Sequence, residues 1–304
     1  MATASKLQST FKSQDTEEWL DIHFTRPIGL MWANFFNRFN VHPNVVTLLS
    51  ILLGAAAGVM FYFPDLTHTL VGIALLMWAN FYDSADGQLA RMTGKKTLWG
   101  RILDGFAGDV WFFSIYVCIC LRLTPEWGAW IWVLASFSGF VCHVKQCQLA
   151  DYYRNVHLYF IKGKAGSELD SYPKLREKYH ALSWKGDFWE KTFLYFYGNY
   201  TRSQEKMSPA FQVLKRKLNS RFGDNLPQTL REDFRKGSLP LMKYTNILTF
   251  NTRAIALYAS LLAGRPWIYF VFEVTVMNGL LLYMRYSHEK LCKSLTSRIN
   301  EYKD

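Results

Sequence analysis

The 304 residues are 50% hydrophobic and 17% aromatic, and they carry a formal net charge of +11. A mean hydropathy near zero therefore averages very apolar blocks against very polar ones. Blocks such as Val45–Phe63, which contains no charged residue, suit the roughly 30 Å hydrocarbon core of a bilayer and exclude a soluble globular protein.

In chain order, Met1–Asp21 lacks the apolar core of a secretory leader, so no cleaved signal peptide is expected. Glu17–Asn40 then sets Trp19, Leu20, Phe24, Ile28, Met31, Trp32, Phe35 and Phe36 at helical spacing. This predicts an amphipathic helix lying in the membrane interface and interrupted at Pro27. Six spans follow, at 45–63, 67–87, 102–121, 128–150, 246–263 and 266–284. Very short turns at Pro64–Thr67, Arg122–Trp127 and Gly264–Arg265 make the helices on either side antiparallel hairpins. Between the fourth and fifth spans lies a 94-residue insertion, 151–244, with 18 basic and 10 acidic residues. Its amphipathic stretches, such as Phe211–Phe222, predict short helices on the membrane surface.

The expected fold is thus all-α: a polytopic membrane protein with six transmembrane helices, an interfacial N-terminal helix and a helical cytoplasmic insertion. Its parts are 1–44, 45–150, 151–244, 245–285 and 286–304. Of 35 Lys and Arg residues, 31 fall on one side of these spans, which puts both termini and both long loops in the cytoplasm. The basic surplus is a topology signal and an attraction to anionic headgroups, and no nucleic-acid partner is expected. The five cysteines have no CxxC spacing, so neither a disulfide framework nor a zinc site is expected.

Carboxylates inside spans cost about 2.5–3.5 kcal/mol each near the bilayer centre and point to function. Asp83 and Asp86 close the second span, and Asp104 and Asp109 open the third. These helices are antiparallel, so all four acids share one depth near the cytoplasmic face. Oxygen ligands converging in an apolar site suit a hard cation, Mg²⁺, Mn²⁺ or Ca²⁺. The alternative pairs the acids with Arg91, Lys95, Lys96 and Arg101 at the interface.

The surrounding residues read Asp83-x2-Asp86-Gly87-x2-Ala90-Arg91-x8-Gly100-x3-Asp104. Seven fixed positions resemble the signature of the CDP-alcohol phosphotransferase family, and Pro43-Asn44-x2-Thr47 resembles a second segment of it. The likeness covers residues 17–150 well and 245–285 in architecture alone. It implies an integral-membrane enzyme of phospholipid synthesis, in which a second alcohol attacks a CDP-linked alcohol and releases CMP. It further implies a two-metal site of Mg²⁺ or Mn²⁺ held by Asp83, Asp86, Asp104 and Asp109. By the same likeness Gly87, Ala90, Arg91, Gly100, Asn44 and Thr47 bind the nucleotide, and the assembly is a homodimer. The membrane is the bacterial cytoplasmic or the endoplasmic-reticulum membrane.

One position departs. The family's last aspartate, its general base, falls here on Gly108, followed by Asp109. A local π-type widening near Gly105–Gly108 is expected to turn Asp109 back into the cluster. Lys145 and Arg253 are further candidates, as contacts to an anionic substrate. For Lys145 the alternative is snorkelling to the interface, and for Arg253 it is pairing with an acid such as Glu273. CDP-diacylglycerol is the favoured donor. Headgroup transfer from a CDP-polar alcohol to a lipid alcohol, a cation transporter and a silent membrane scaffold are the alternatives.

Overall fold

The computed structural model of the chain describes residues 13–95 and 97–302, whose regular elements are all helical. In chain order they are α1 (Arg26–Arg38), α2 (Pro43–Met60), α3 (Leu66–Thr93), α4 (Leu98–Trp127), α5 (Trp130–Ser136), α6 (Val144–Lys162), α7 (Tyr172–Ala181), α8 (Phe188–Met207), α9 (Pro209–Phe222), α10 (Gln228–Ile247), α11 (Phe250–Leu262), α12 (Trp267–Phe272) and α13 (Asn278–Ser297). Three π-helical turns, Asp21–Thr25, Phe137–His143 and Glu273–Met277, run into α1, α6 and α13. The chain forms two compact units. One comprises the residues up to His143 with Asn251–Thr275; the other comprises Val144–Phe250 and the residues from Val276 onward. Residues 1–12, where no secretory leader is expected, lie outside the described residues.

In the first unit, Pro27 does not break the amphipathic helix but stands in the first turn of α1. A proline has no N–H to give, and in the first turn of a helix none is needed; the π-turn Asp21–Thr25 leads directly into it. The inner face of α1 packs Ala33 and Phe36 with Val46, Ala85 and Leu89. Its outer face leaves Met31 and Phe35 exposed, as does Phe39 just after it.

Helix α2 is the centre of this unit and packs on both α3 and α4. Gly54 and Gly58, four residues apart, present one face on which backbones approach closely. A Cβ on Gly54 would stand 2.0 Å from Trp111, and one on Gly58 would stand 2.8 Å from the Ile115 backbone nitrogen. Ser114 crosses the same contact to donate to the Ala55 carbonyl at 2.9 Å. Gly58→Val should therefore cost about 2–3 kcal/mol by overpacking, read as a lowered thermal midpoint in detergent. An unchanged midpoint would contradict this contact.

Among the described residues, three helical stretches, Pro43–Met60, Leu103–Trp127 and Trp267–Ser297, are long and apolar enough to cross a membrane. The six expected spans are not all of that kind. Helix α3 has the length, with 28 residues, but carries Asp83, Asp86 and Arg91. With 13 residues, α11 reaches only about 20 Å at 1.5 Å per residue.

In the second unit, α6 is the buried axis. Gln146, Gln148, Asn155 and His157 are inside it beside Leu149, Tyr152, Tyr153 and Phe160. Buried amides need partners, and Gln146 donates to Asn278 at 2.8 Å. Phe160 stacks on Phe234 and Tyr153 on His288, with centroids 3.7 and 3.8 Å apart. Helix α9 buries Phe211, Leu214, Leu218 and Phe222, the apolar stripe that its sequence periodicity predicts. The α7–α8 pair leaves Trp184, Phe188, Trp189, Tyr195 and Phe196 exposed.

Candidate active site

The site is built by one tight helical hairpin. Helix α3 ends at Gly94, whose φ of 69° is the left-handed conformation that stops a helix at little cost for glycine. Thr97 then caps α4, its hydroxyl accepting from the Gly100 N–H at 2.9 Å. This reversal sets the start of α4 against the end of α3. Asp83 and Asp86, three residues apart on α3, share one face, and Asp104 on α4 meets them there. Each of the three offers a carboxylate oxygen within 4.8 Å of the others. Asp86 is buried, Asp83 half-buried and Asp104 exposed, so the group opens on one side. Asp86 Oδ2 is buried without a hydrogen-bond partner. Three converging carboxylates and an orphaned buried oxygen fit a hard divalent cation, which would neutralise charges that otherwise repel.

The second resembling segment meets the first. Pro43 opens α2 and His42 caps it, its Nδ1 accepting from the Asn44 N–H at 3.2 Å. The cap is thus His42, which leaves the Asn44 side chain for another role. Asn44 Oδ1 lies 3.0 Å from where a Cβ on Gly100 would stand, and Thr47 interacts with Asp86. Gly87 lies under the Arg91 guanidinium, whose Nη1 is 3.6 Å from the position of its missing Cβ. Burial draws the Arg91 pKa down, as does the cationic Arg26, while Glu17, Asp104 and Asp86 oppose. Ala90 is half-buried on the same helix. Lys96 and the Arg101 side chain lie outside the described residues.

Asp109 requires a correction. Helix α4 is regular from Leu98 to Trp127, with no widening at Gly105–Gly108. Glycines permit a π-bulge but do not impose one, and here no packed side chain forces it: nothing lies within 4 Å of a Cβ at either position. In a straight helix Asp109 sits about 7.5 Å along the axis from Asp104 and about 140° around it. It is not a member of the carboxylate group, and its electrostatic neighbour is His143. A base touching the attacking hydroxyl contributes about 10²–10⁴-fold, so Asp109→Asn should keep turnover within about tenfold of wild type. A thousandfold loss in folded protein would return Asp109 to the reacting centre.

Arg253 and Lys145 are engaged differently from the substrate roles expected of them. Arg253 is 1% exposed and donates to Glu273, which is fully buried. The same carboxylate accepts from the hydroxyls of Ser138 and Tyr269, each at 2.6 Å, and from Tyr116. His143 Nδ1 stands 3.1 Å from it. Of the two sequence readings for Arg253, pairing with an acid is the one realised. Lys145, in the second unit, donates to Ser203 Oγ at 2.6 Å and Gln148 Oε1 at 3.2 Å, neutral partners beside α6. The hydroxyls around Glu273 escaped sequence reasoning; the one available signal was the cost of an isolated glutamate in an apolar run.

Residues 40–157 match the model of the CDP-alcohol phosphatidyltransferase family. The chain is 38% identical over 72 residues to an uncharacterised protein of Aquifex aeolicus, covering 24% of this chain and 35% of that protein. It is 32% identical over 99 residues to the bifunctional IPC transferase and DIPP synthase of the same organism, covering 33% and 22%. To the archaetidylinositol phosphate synthase of Pyrococcus horikoshii it is 30% identical over 108 residues, covering 36% and 55%. The chain thus spans between about a fifth and just over half of the length of these relatives.

Proposed function

We propose that the protein is an integral-membrane CDP-alcohol phosphotransferase of phospholipid synthesis. It transfers a substituted phosphate from CDP-diacylglycerol to a polar alcohol and releases CMP. The observation that carries this reading is the meeting of Asp83, Asp86 and Asp104 within 4.8 Å, inside the segment that matches the family.

In this reading the three aspartates hold Mg²⁺ or Mn²⁺, as one ion or a pair. The ions, when bound, supply charge neutralisation to the diphosphate and to the departing CMP. Arg91 pairs its fork of donors with diphosphate oxygens. Gly87 and Gly100 let the nucleotide approach the backbone, and Ala90 leaves room beside it. Asn44 and Thr47 brace the start of α4 and Asp86. The hydroxyl oxygen of the second alcohol forms a bond to the β-phosphorus as the bond to the α-phosphate oxygen breaks; CMP leaves with that electron pair, and the hydroxyl proton passes to water. Such transfers are governed by positioning and charge, so a dedicated base matters less than the clamp.

The relative named as an archaetidylinositol phosphate synthase supports a phosphorylated polar acceptor. A second reading is favoured by one observation: Arg253 is committed to Glu273, and Lys145 has neutral partners, so neither supports an anionic acceptor. That reading moves a headgroup from a CDP-polar alcohol to diacylglycerol. Mass spectrometry of the lipid formed from each substrate pair separates the two. Product from CDP-diacylglycerol with inositol phosphate, glycerol phosphate or serine supports the first reading, and product only from a CDP-polar alcohol with diacylglycerol supports the second. For the whole chain we propose a homodimer with six membrane helices and both termini cytoplasmic, in a bacterial cytoplasmic or endoplasmic-reticulum membrane. The exposed aromatics of α7–α8 and the basic surplus of 151–244 then lie at the headgroup level.

A further inference from the structure

The amphipathic stretch that the sequence offers most plainly to a membrane surface, Phe211–Phe222, faces inward. Helix α9 turns Phe211, Leu214, Leu218 and Phe222 into the interior of the second unit. A different apolar face of that unit is left open, on the α7–α8 pair. Helix α8 packs on α7 and α6. It buries Leu194, Gly198 and Thr201. On its other side Phe188, Trp189, Tyr195 and Phe196 are between 51% and 67% exposed, and Trp184, in the turn before it, is half exposed. That turn has a fixed geometry. Lys191 donates to the Leu182 carbonyl at 2.7 Å and sits 5.3 Å from the centre of the Trp184 ring. The Asp187 carboxylate accepts from the Ser183 N–H at 3.1 Å.

The open face changes character along the helix. At 100° per residue, Phe188, Tyr195, Phe196, Asn199, Arg202 and Lys206 fall within about 120° of one another. Aromatic rings occupy its first 12 Å or so, and Arg202 and Lys206 follow about 9 and 15 Å beyond Phe196. Lys174, Arg176, Lys178 and Lys185 are exposed on α7 and the turn, whereas Glu177 and Glu190 are the exposed acids between 172 and 207. A contiguous patch of exposed rings marks a surface that binds something. A bilayer surface has the same grading, from hydrocarbon through about 5–7 Å of headgroups to water. Aromatic rings settle at its inner edge, and lysine and arginine at anionic phosphates. We propose that the α7–α8 hairpin docks on an anionic phospholipid surface with α8 inclined to it. Phe188, Trp189 and Phe196 reach the acyl-chain boundary, and Arg202 and Lys206 meet the phosphates. This docking rests on the membrane reading given above, to which it adds a named face, an orientation and a lipid charge.

The test places the full chain in lipid nanodiscs that contain a trace of photoreactive phospholipid, and maps the labelled residues by mass spectrometry. One probe carries its diazirine in the acyl chain and the other in the headgroup. In phosphatidylcholine discs with about 30% phosphatidylglycerol, the acyl-chain probe should label residues 184–196 and the headgroup probe residues 199–206. Labelling of 184–196 should fall at least about threefold in phosphatidylcholine alone. Arg202→Gln combined with Lys206→Gln should bring about the same fall in the anionic discs. Equal labelling in both lipids overturns the proposal. Should the double variant fail to fold, the comparison of lipids in the unmodified chain decides. Cross-links that join α8 of one copy to another copy, with α8 unlabelled by lipid, overturn it in favour of a protein partner. An unlabelled α8 beside a labelled Pro43–Met60 refutes the docking alone. A Pro43–Met60 that the acyl-chain probe leaves unlabelled refutes the membrane reading itself.

Discussion

Asp86→Ala and Asp104→Ala should each lower metal-dependent CMP release by about a thousandfold or more while the protein remains folded. The reason is geometric. Only three carboxylates converge among the described residues, so losing one leaves an incomplete set of ligands for a hard cation. Stability should not fall with activity. Asp86 Oδ2 is buried without a partner, and a carboxylate crowded by two others strains the cation-free protein. Alanine removes that strain, so the thermal midpoint without metal should stay the same or rise, and its increase on adding Mg²⁺ should disappear. Turnover near that of wild type in either folded variant would remove the cation site from the account.

The largest loss of stability is expected at the other acid. Glu273→Ala leaves Arg253 charged and buried, and breaking one side of a buried pair costs about 3–5 kcal/mol. It also leaves the hydroxyls of Ser138 and Tyr269 without their acceptor. The double variant Glu273→Met with Arg253→Met should recover much of the loss, because paired apolar side chains of similar volume often replace a buried ion pair at little cost. Thermal unfolding of the single and double variants measures the coupling. An Arg253 that bound substrate would give a different pattern: Arg253→Met would fold normally and raise the KM of the acceptor.

The contrast between these two acidic sites explains how much the sequence could convey. Asp83, Asp86 and Asp104 lie within 22 residues on one helical hairpin, and the fixed period of the helix together with a short turn is enough to bring them together. The amphipathic helix α1 was legible for the same reason, since its periodicity is local. Glu273 draws its partners from positions 116, 138, 143, 253 and 269, and no local period encodes which helices pack together. The Gly54–Gly58 contact sits between: its spacing is visible, but its partner, α4, emerges only from packing. Asp109 marks the limit of resemblance. A shift by one residue was expected to be absorbed by a bulge, yet the helix keeps its regular bonds and turns the acid elsewhere.

The end of the fourth expected span falls in a helix of another character. The fourth expected span was drawn to residue 150, but from Val144 onward the chain is the polar, aromatic axis of the second unit. Gln146 donates to Asn278, Tyr152 accepts from Gln212 and His157 pairs with Ser238, so the helix is interior without being apolar. Average hydropathy cannot separate such a helix from the end of a span.

The central claim is that the hairpin of α3 and α4 is a cation-dependent phosphotransfer site, and release of labelled CMP by the purified chain tests it most directly. The assay supplies a CDP-linked alcohol and an acceptor alcohol, first with Mg²⁺ or Mn²⁺ and then with a chelator. Release is expected only with the divalent ion, and Asp86→Ala should abolish it. Release that is unchanged by the chelator, or no release from any CDP-alcohol in folded protein supplied with metal, would contradict the claim.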